Sequence, residues 1–120
     1  MDKARRKELK EQYKEMKPDM GVFMISSKTT KKCYVQKAKD LKGVINSNRA
    51  RLQGGLHPNL ELRQEWKELG SDNFTIEILE YLDYEEDNDQ EDYSDDLALL
   101  QMEWEEKLIK DNWKLYKKRI

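Results

Sequence analysis

The sequence predicts an α/β (α+β) fold, in which a small three-stranded antiparallel sheet is flanked by helices. Residues 21–25 are a continuous apolar run, residues 32–36 alternate in polarity, and a short polar link joins them, a pattern typical of a β-hairpin. Residues 74–78 alternate between apolar and polar side chains and predict the third strand. Helical spacing of apolar residues elsewhere completes the order α-β-β-α-α-β-α.

The chain opens with a charged segment, residues 1–18, which is predicted as an N-terminal helix that ends at Pro18. Its apolar stripe is thin, so we expect this helix to lie on the surface of the domain. A chain of 120 residues is long enough for one compact core and too short for two. Residues 19–120 are therefore predicted as a single domain.

Two helices are predicted between the second and third strands. Asp40 is a good N-cap for the first, over residues 41–53, and the Gly-Gly pair after it is a favourable end. The second is predicted to begin near Pro58, because proline is favoured in the first turn of a helix, and to end at Gly70. An apolar stripe along this second helix indicates packing against the core.

The amino-acid composition changes twice in the last third of the chain. Residues 83–96 are acidic and almost free of aliphatic side chains, so they are predicted as a loop that is partly mobile. Residues 97–118 carry two apolar stripes at helical spacing and are predicted as a long C-terminal helix.

Charges are segregated along the chain, although the formal net charge is only −2 and the pI about 5.6. Residues 21–51 contain eight Lys or Arg and one acidic residue, whereas residues 71–106 contain fifteen Asp or Glu and no basic residue. The net charge argues against a nucleic-acid partner, but local fields steer binding more than the sum of charges does. Both interpretations stay open.

Cysteine content and hydropathy indicate a reduced, cytoplasmic compartment. The single Cys33 cannot form an intramolecular disulfide, and no apolar run reaches the ~20 residues that span a membrane. No basic-then-apolar signal segment opens the chain. We therefore expect a cytoplasmic protein without a membrane partner.

Two motifs and a series of spaced residues run from residue 21 to residue 82. They are Gly21-Val22-Phe23, Tyr34-Val35-Gln36, and then His57, Asn59, Leu62, Trp66, Gly70 and Phe74. This order resembles the GIY-YIG endonuclease domain, with changes in each name motif. The resemblance implies a small sheet covered by helices, a site that hydrolyses phosphodiesters with one divalent metal, and DNA as the partner.

The resemblance also assigns candidate site residues. Tyr34 keeps the tyrosine of the second motif, which in the family helps to activate the attacking water. Glu103 matches the metal-binding glutamate, with Glu105 or Glu106 as alternatives because the alignment can slip across the acidic loop. Arg51 is the candidate replacement for a catalytic arginine. The candidate substrate-binding residues are Lys32, Lys37, Lys39, Arg49 and His57.

Four positions depart from the family pattern. Phe23 lacks the hydroxyl of the first-motif tyrosine, Gln36 replaces a glycine, and the arginine position falls on Val44. Asn48 stands where the family often has histidine or tyrosine. Losing one stabilising donor typically costs about 10²–10³ in rate, and an arginine on a phosphoryl group is worth roughly 10³–10⁵. We therefore expect a degenerate site, with activity several orders below that of a working relative.

Each candidate also has a structural explanation. Tyr34 is explained equally well as a strand tyrosine half covered by a helix. Glu103 stands four residues before Lys107, the favourable order for a helical ion pair worth about 0.2–0.5 kcal/mol. His57 beside Pro58 is explained by packing at the start of a helix.

Three functions follow, in order of preference. The first is a catalytically impaired member of the nuclease family that binds nucleic acid, weakly and in a salt-dependent way, or protein. The alternative is an active Mg²⁺-dependent DNA endonuclease with a rearranged site built from Tyr34, a relocated arginine such as Arg51 or Arg49, and Glu103. The third is an adaptor that dimerises or binds protein through its terminal helices, which carry more apolar surface than a small sheet needs.

Overall fold

The computed structural model describes residues 17–84 and 92–117. The predicted N-terminal helix lies outside these ranges except for Lys17 and Pro18, which are not helical. Half of the predicted acidic loop, residues 85–91, also lies outside them.

Within these ranges the chain forms three α-helices and a four-stranded sheet, which confirms the predicted mixture of sheet and helices. In chain order the elements are β1 (Met20–Ser27), β2 (Lys32–Ala38), α1 (Leu41–Gln53), α2 (Leu60–Leu69), a 3₁₀ turn (Ser71–Asn73), β3 (Phe74–Leu82), α3 (Ser94–Lys110) and β4 (Lys114–Leu115).

The sheet has the strand order β3-β1-β2-β4. β1 is antiparallel to β2 and β3, which confirms the predicted hairpin, and its register places Ile25 opposite Tyr34. At Gly21, β1 and β3 approach so closely that a Cβ atom would collide with the carbonyl oxygen of Glu80. The first residue of the Gly-Val-Phe motif is therefore a requirement of sheet packing.

The capping residues explain where the two middle helices begin. α1 has the predicted bounds, and the Asp40 side chain accepts a hydrogen bond from the Gly43 N–H at 3.1 Å. α2 begins later than predicted because Asn59 is its cap, and the Asn59 Oδ1 atom accepts from the Leu62 N–H at 3.0 Å. Pro58 therefore precedes the cap instead of lying in the first turn.

The C-terminal helix differs from the prediction over residues 97–118. α3 starts at Ser94, inside the predicted acidic loop, and ends at Lys110. Asn112 then adopts a left-handed conformation with φ 70°, and the Trp113 N–H donates to the carbonyl of Leu108 at 3.0 Å. This hydrogen-bonding pattern ends helices, and asparagine tolerates the left-handed position better than most residues.

A fourth strand corrects the predicted three-stranded sheet. After the turn, the Lys114 N–H donates to the carbonyl of Lys31 at 3.1 Å, and the Tyr116 N–H donates to the carbonyl of Cys33 at 2.9 Å. β4 thereby pairs in parallel with the first two residues of β2. The remainder of the outer edge of β2 is not paired with a strand of the described chain.

The sheet separates the two larger apolar clusters of the described residues, one on each face. α1 and α2 cover the helix-pair face, whose buried residues are Phe23, Ile25, Ala38, Leu41, Ile45, Leu52, Leu62 and Tyr116. α3 covers the α3 face, whose buried residues are Val22, Met24, Cys33, Val35, Leu100 and Leu108. Trp66 packs against the helix-pair face, and Trp104 and Trp113 pack against the α3 face.

The outer side of α3 keeps an apolar stripe, since Leu99, Met102 and Ile109 are each more than half exposed. Dimerisation through the terminal helices stays a prediction. Among the helices of the described ranges, none is long and apolar enough to cross a membrane.

Candidate functional site

Alternation along β2 decides which side chains share a surface. Tyr34 and Gln36 lie on the helix-pair face, whereas Cys33 and Val35 lie on the α3 face. Tyr34 is half-buried and packs against the helix-pair cluster. Phe23, at the first motif position, is fully buried in the same cluster, so this position belongs to the core.

Asn48 of α1 is the centre of a buried hydrogen-bond network on the helix-pair face. Its Nδ2 atom donates to Gln36 Oε1 at 3.1 Å and to the carbonyl of Val44 at 2.8 Å. Its Oδ1 atom lies 2.6 Å from His57 Nε2. Two of the positions that depart from the family pattern, Gln36 and Asn48, are therefore bonded to each other.

The network assigns the tautomer of His57. The Asn59 N–H donates to His57 Nδ1 at 3.1 Å, so Nδ1 is the acceptor and the proton lies on Nε2, which donates to Asn48. Burial lowers the pKa of His57, and the positive charges of Arg51 and Arg63 lower it further. The ring is therefore neutral, and both of its nitrogens are used within the protein.

Tyr34 stands beside this network. Its ring meets the His57 ring edge-on, with centroids 5.2 Å apart and planes at 86°. Burial raises the pKa of Tyr34, and the positive charge of Arg51 opposes that rise. The hydroxyl is thus held in its protonated form at neutral pH, and Arg51 is near enough to act on both rings.

The two positions considered for a catalytic arginine have different environments. Val44 is half-buried and packs against the helix-pair cluster. Arg51 is exposed in the last turn of α1 and starts about 10 Å further along the helix axis. The structure brings Tyr34, the buried His57 and Arg51 close together on the helix-pair side of the sheet.

The three candidate glutamates lie elsewhere. Glu103 is exposed and lines a pocket between α3 and the end of β3, on the α3 face. Glu105 is buried against the sheet, where burial and then its negative charge raise the pKa of Cys33 to about 11. Glu106 is exposed. The sheet therefore lies between Tyr34 and the α3 carboxylates.

The pocket that Glu103 lines contains further carboxylates that could bind a metal ion. Asp83 and Asp96 line it together with Glu103, and carboxylate oxygens are ligands that Mg²⁺ prefers. Because the pocket faces away from Tyr34, these residues do not fit a metal site that also contains the tyrosine. Within residues 17–84 and 92–117, no group of three or more His, Cys, Asp and Glu side chains is arranged to hold a metal ion.

Two of the candidate lysines are engaged by acidic side chains. Lys32 Nζ lies 2.9 Å from Glu61 Oε1, and this hydrogen bond raises the pKa of Lys32. Lys39 Nζ lies 3.6 Å from Asp92 in a more exposed pair. The candidate cations with exposed side chains are Lys37 on β2, Lys39 in the link between β2 and α1, and Arg49 and Arg51 on α1.

Sequence reasoning missed one contact between α3 and the sheet. Gln101 Oε1 accepts from the backbone N–H of Lys37 at 3.1 Å, at the open edge of β2. No local pattern marks Gln101, because the contact depends on how α3 crosses the sheet. The bond between Gln36 and Asn48 had a weak signal, since both are polar at positions that face a predicted core.

The structure is similar to solved structures of one nuclease domain. The catalytic domain of the homing endonuclease I-TevI matches with a TM-score of 0.64 and 24% sequence identity, over 82% of this chain and 99% of that one. A mutant of the catalytic domain of the intron endonuclease I-TevI matches with a TM-score of 0.64 and 23% identity, over 82% and 92%. No protein-family model and no curated protein sequence matches. The chain therefore has a GIY-YIG-like fold, as in the catalytic domain of a homing endonuclease.

Proposed function

We propose that this protein is a nucleic-acid binding module on a nuclease fold, with a degenerate site that hydrolyses phosphodiesters poorly or not at all. The network of Gln36, Asn48 and His57 beside Tyr34 is the observation that carries the proposal. These side chains are neutral, and they bond to one another. Because both His57 nitrogens and the Asn48 amide are engaged within the protein, they are not available to activate a water molecule or to donate to a phosphate oxygen.

The position of the cation supports the same conclusion. Hydrolysis builds negative charge on the phosphoryl group, and a positioned arginine stabilises that charge. Val44 is packed on the core and offers no charge. Arg51 is displaced by about 10 Å along the helix, so it is better placed for a neighbouring phosphate than for the reacting one.

The separation of Tyr34 from Glu103 is a third support. A metal acts on hydrolysis only where it contacts the reacting phosphate or the attacking water. Glu103 lines a pocket on the α3 face, whereas Tyr34 packs on the helix-pair face. An active Mg²⁺-dependent site would require these two side chains to converge.

Binding is supported by the cations of this region that form no ion pair within residues 17–84 and 92–117. Lys37, Arg49 and Arg51 are exposed on β2 and α1, next to the half-buried Tyr34. Cations that neutralise phosphates release counterions, so the affinity falls steeply as salt rises. We expect DNA to bind weakly and in a salt-dependent way.

The experiment separates binding from cleavage. Supercoiled, single-stranded and branched DNA are incubated with the protein in Mg²⁺ or Mn²⁺, and binding is titrated at low and at physiological salt. We expect salt-sensitive binding and no metal-dependent product. Cleavage by the wild type that disappears in Glu103→Ala would overturn the proposal in favour of an active endonuclease.

A matched pair of charge variants locates the bound DNA. Arg51→Ala removes a cation next to Tyr34, and Lys110→Ala removes an exposed cation at the end of α3. We expect Arg51→Ala to weaken binding several-fold and to lower the salt slope by about one. Lys110→Ala should change neither. Equal effects of the two variants would indicate general charge attraction without a defined site.

A further inference from the structure

The loop between α1 and α2 alternates between buried and exposed side chains. His57 and Asn59 point inward and are 1% and 8% exposed, whereas Leu56 and Leu60 point outward and are 75% and 58% exposed. A single exposed leucine needs no explanation. Two so close together, one in the loop and one at the first position of α2, form an apolar edge that is exposed among residues 17–84 and 92–117.

This loop is held in place from both sides. At its start, Gly55 takes a left-handed conformation with φ 73°, and the Leu56 N–H donates to the carbonyl of Arg51 at 2.7 Å. At its end, Asn59 Nδ2 donates to the carbonyl of Lys117 at 3.1 Å. A loop anchored in this way presents its outer side chains with little loss of conformational entropy on binding.

The charges around the loop indicate the kind of partner. Arg51 precedes it and Arg63 follows it, and the positive charges of both act on the His57 ring inside it. The nearby Glu61 is paired with Lys32 at 2.9 Å, which offsets its negative charge. Two arginines beside an apolar edge are complementary to a polyanion that also offers flat apolar surfaces. Nucleic acid with unstacked bases has both properties.

We propose that Leu56 and Leu60 form a wedge that packs against unpaired or unstacked bases, while Arg51 and Arg63 contact the flanking phosphates. This inference rests on the proposed nucleic-acid binding and specifies the class of nucleic acid that is bound. Apolar side chains of minor-groove proteins wedge between base steps in the same manner, and the unstacking costs least where bases are already unpaired. The protein then prefers bulged or single-stranded sites to a fully paired duplex.

The test compares two DNA duplexes of equal length, one fully paired and one with a two-nucleotide bulge that contains 2-aminopurine. We expect wild-type protein to bind the bulged duplex about tenfold more tightly, as burial of a leucine side chain allows, and to change the 2-aminopurine fluorescence. The double variant Leu56→Ser with Leu60→Ser should lose this preference and the fluorescence change. It should keep the affinity and salt slope for the paired duplex, because the arginines remain.

Leu99→Ser is the matched control, since Leu99 is 57% exposed on α3, away from the loop. It should behave as wild type, and thermal unfolding should show that all variants are folded. If wild type binds neither duplex, both the inference and the proposed function are wrong. If it binds both and the double variant keeps the preference for the bulge, only the inference is wrong. A change in sedimentation mass without a change in DNA binding would assign the leucines to a protein contact and also overturn it.

Discussion

The two faces of the sheet are built on different principles. On the α3 face, Val22, Met24, Cys33 and Val35 meet a side of α3 that is apolar apart from the buried Glu105, so side-chain volume mainly decides the fit. On the helix-pair face, an apolar cluster surrounds the hydrogen-bonded Gln36, Asn48 and His57. The departures from the nuclease motifs, Phe23 and Gln36 among them, lie on this second face. Both sides of the small sheet are thus packed as core, and the helix-pair face adds a network of hydrogen-bonded polar side chains.

Large-to-small substitutions should have the largest effects and should affect both faces. Leu62→Ala on the helix-pair face and Leu100→Ala on the α3 face each remove a buried side chain, 0% and 8% exposed. We expect each to lower the free energy of unfolding by about 2–5 kcal/mol. Urea unfolding measures the loss, and Leu99→Ala is the exposed control, expected within about 0.5 kcal/mol of wild type. A similar loss in Leu99→Ala would mean that α3 packs through another side.

A polar substitution distinguishes the faces. Asn48→Leu keeps the approximate volume but leaves His57 Nε2–H and the Gln36 side chain without their partner. We expect a loss of about 2–4 kcal/mol, because unpaired buried polar groups keep their desolvation penalty. Asn46→Leu, on the exposed side of the same helix, is the control and should be nearly neutral. An Asn48→Leu variant as stable as wild type would show that volume alone decides this face too.

The pH dependence should be smaller and should come from the helix-pair face alone. The pKa of His57 is lowered from 6.5 in the folded protein, so the unfolded chain binds more protons in the acidic range. Stability is therefore complete above about pH 7 and falls as the pH drops through 6.5 toward the folded-state pKa. His57 is the single histidine of the chain.

Urea midpoints at about pH 7.5, 6.5 and 5.5 measure this slope. His57→Gln should flatten it, whatever its effect on stability at the highest pH. An unchanged slope in His57→Gln would assign the titration to other groups and remove the case for a buried neutral imidazole.

Elements that depend on local chemistry were predictable. α1 has the predicted bounds because its cap is local: the Asp40 side chain accepts a hydrogen bond from the N–H of Gly43, three residues later. The hairpin followed from two strand-length stretches and a short polar link. The start of α2 was predicted near Pro58 from the preference of proline for a first turn, whereas the helix begins after Asn59, whose side chain caps it.

By itself, the sequence determined the order of the main elements, the Asp40 cap of α1, and the resemblance to a nuclease domain that the similar solved structures support as a fold. The tertiary structure alone decided that the chain returns after Asn112 to add β4, and that Gln36 bonds to Asn48. It also decided that α3 carries Glu103 on the face away from Tyr34. The physical reason is the separation along the chain of the residues that interact. A cap or a hairpin is specified by residues that are close in sequence, whereas a site is specified by which face of the sheet each distant element covers.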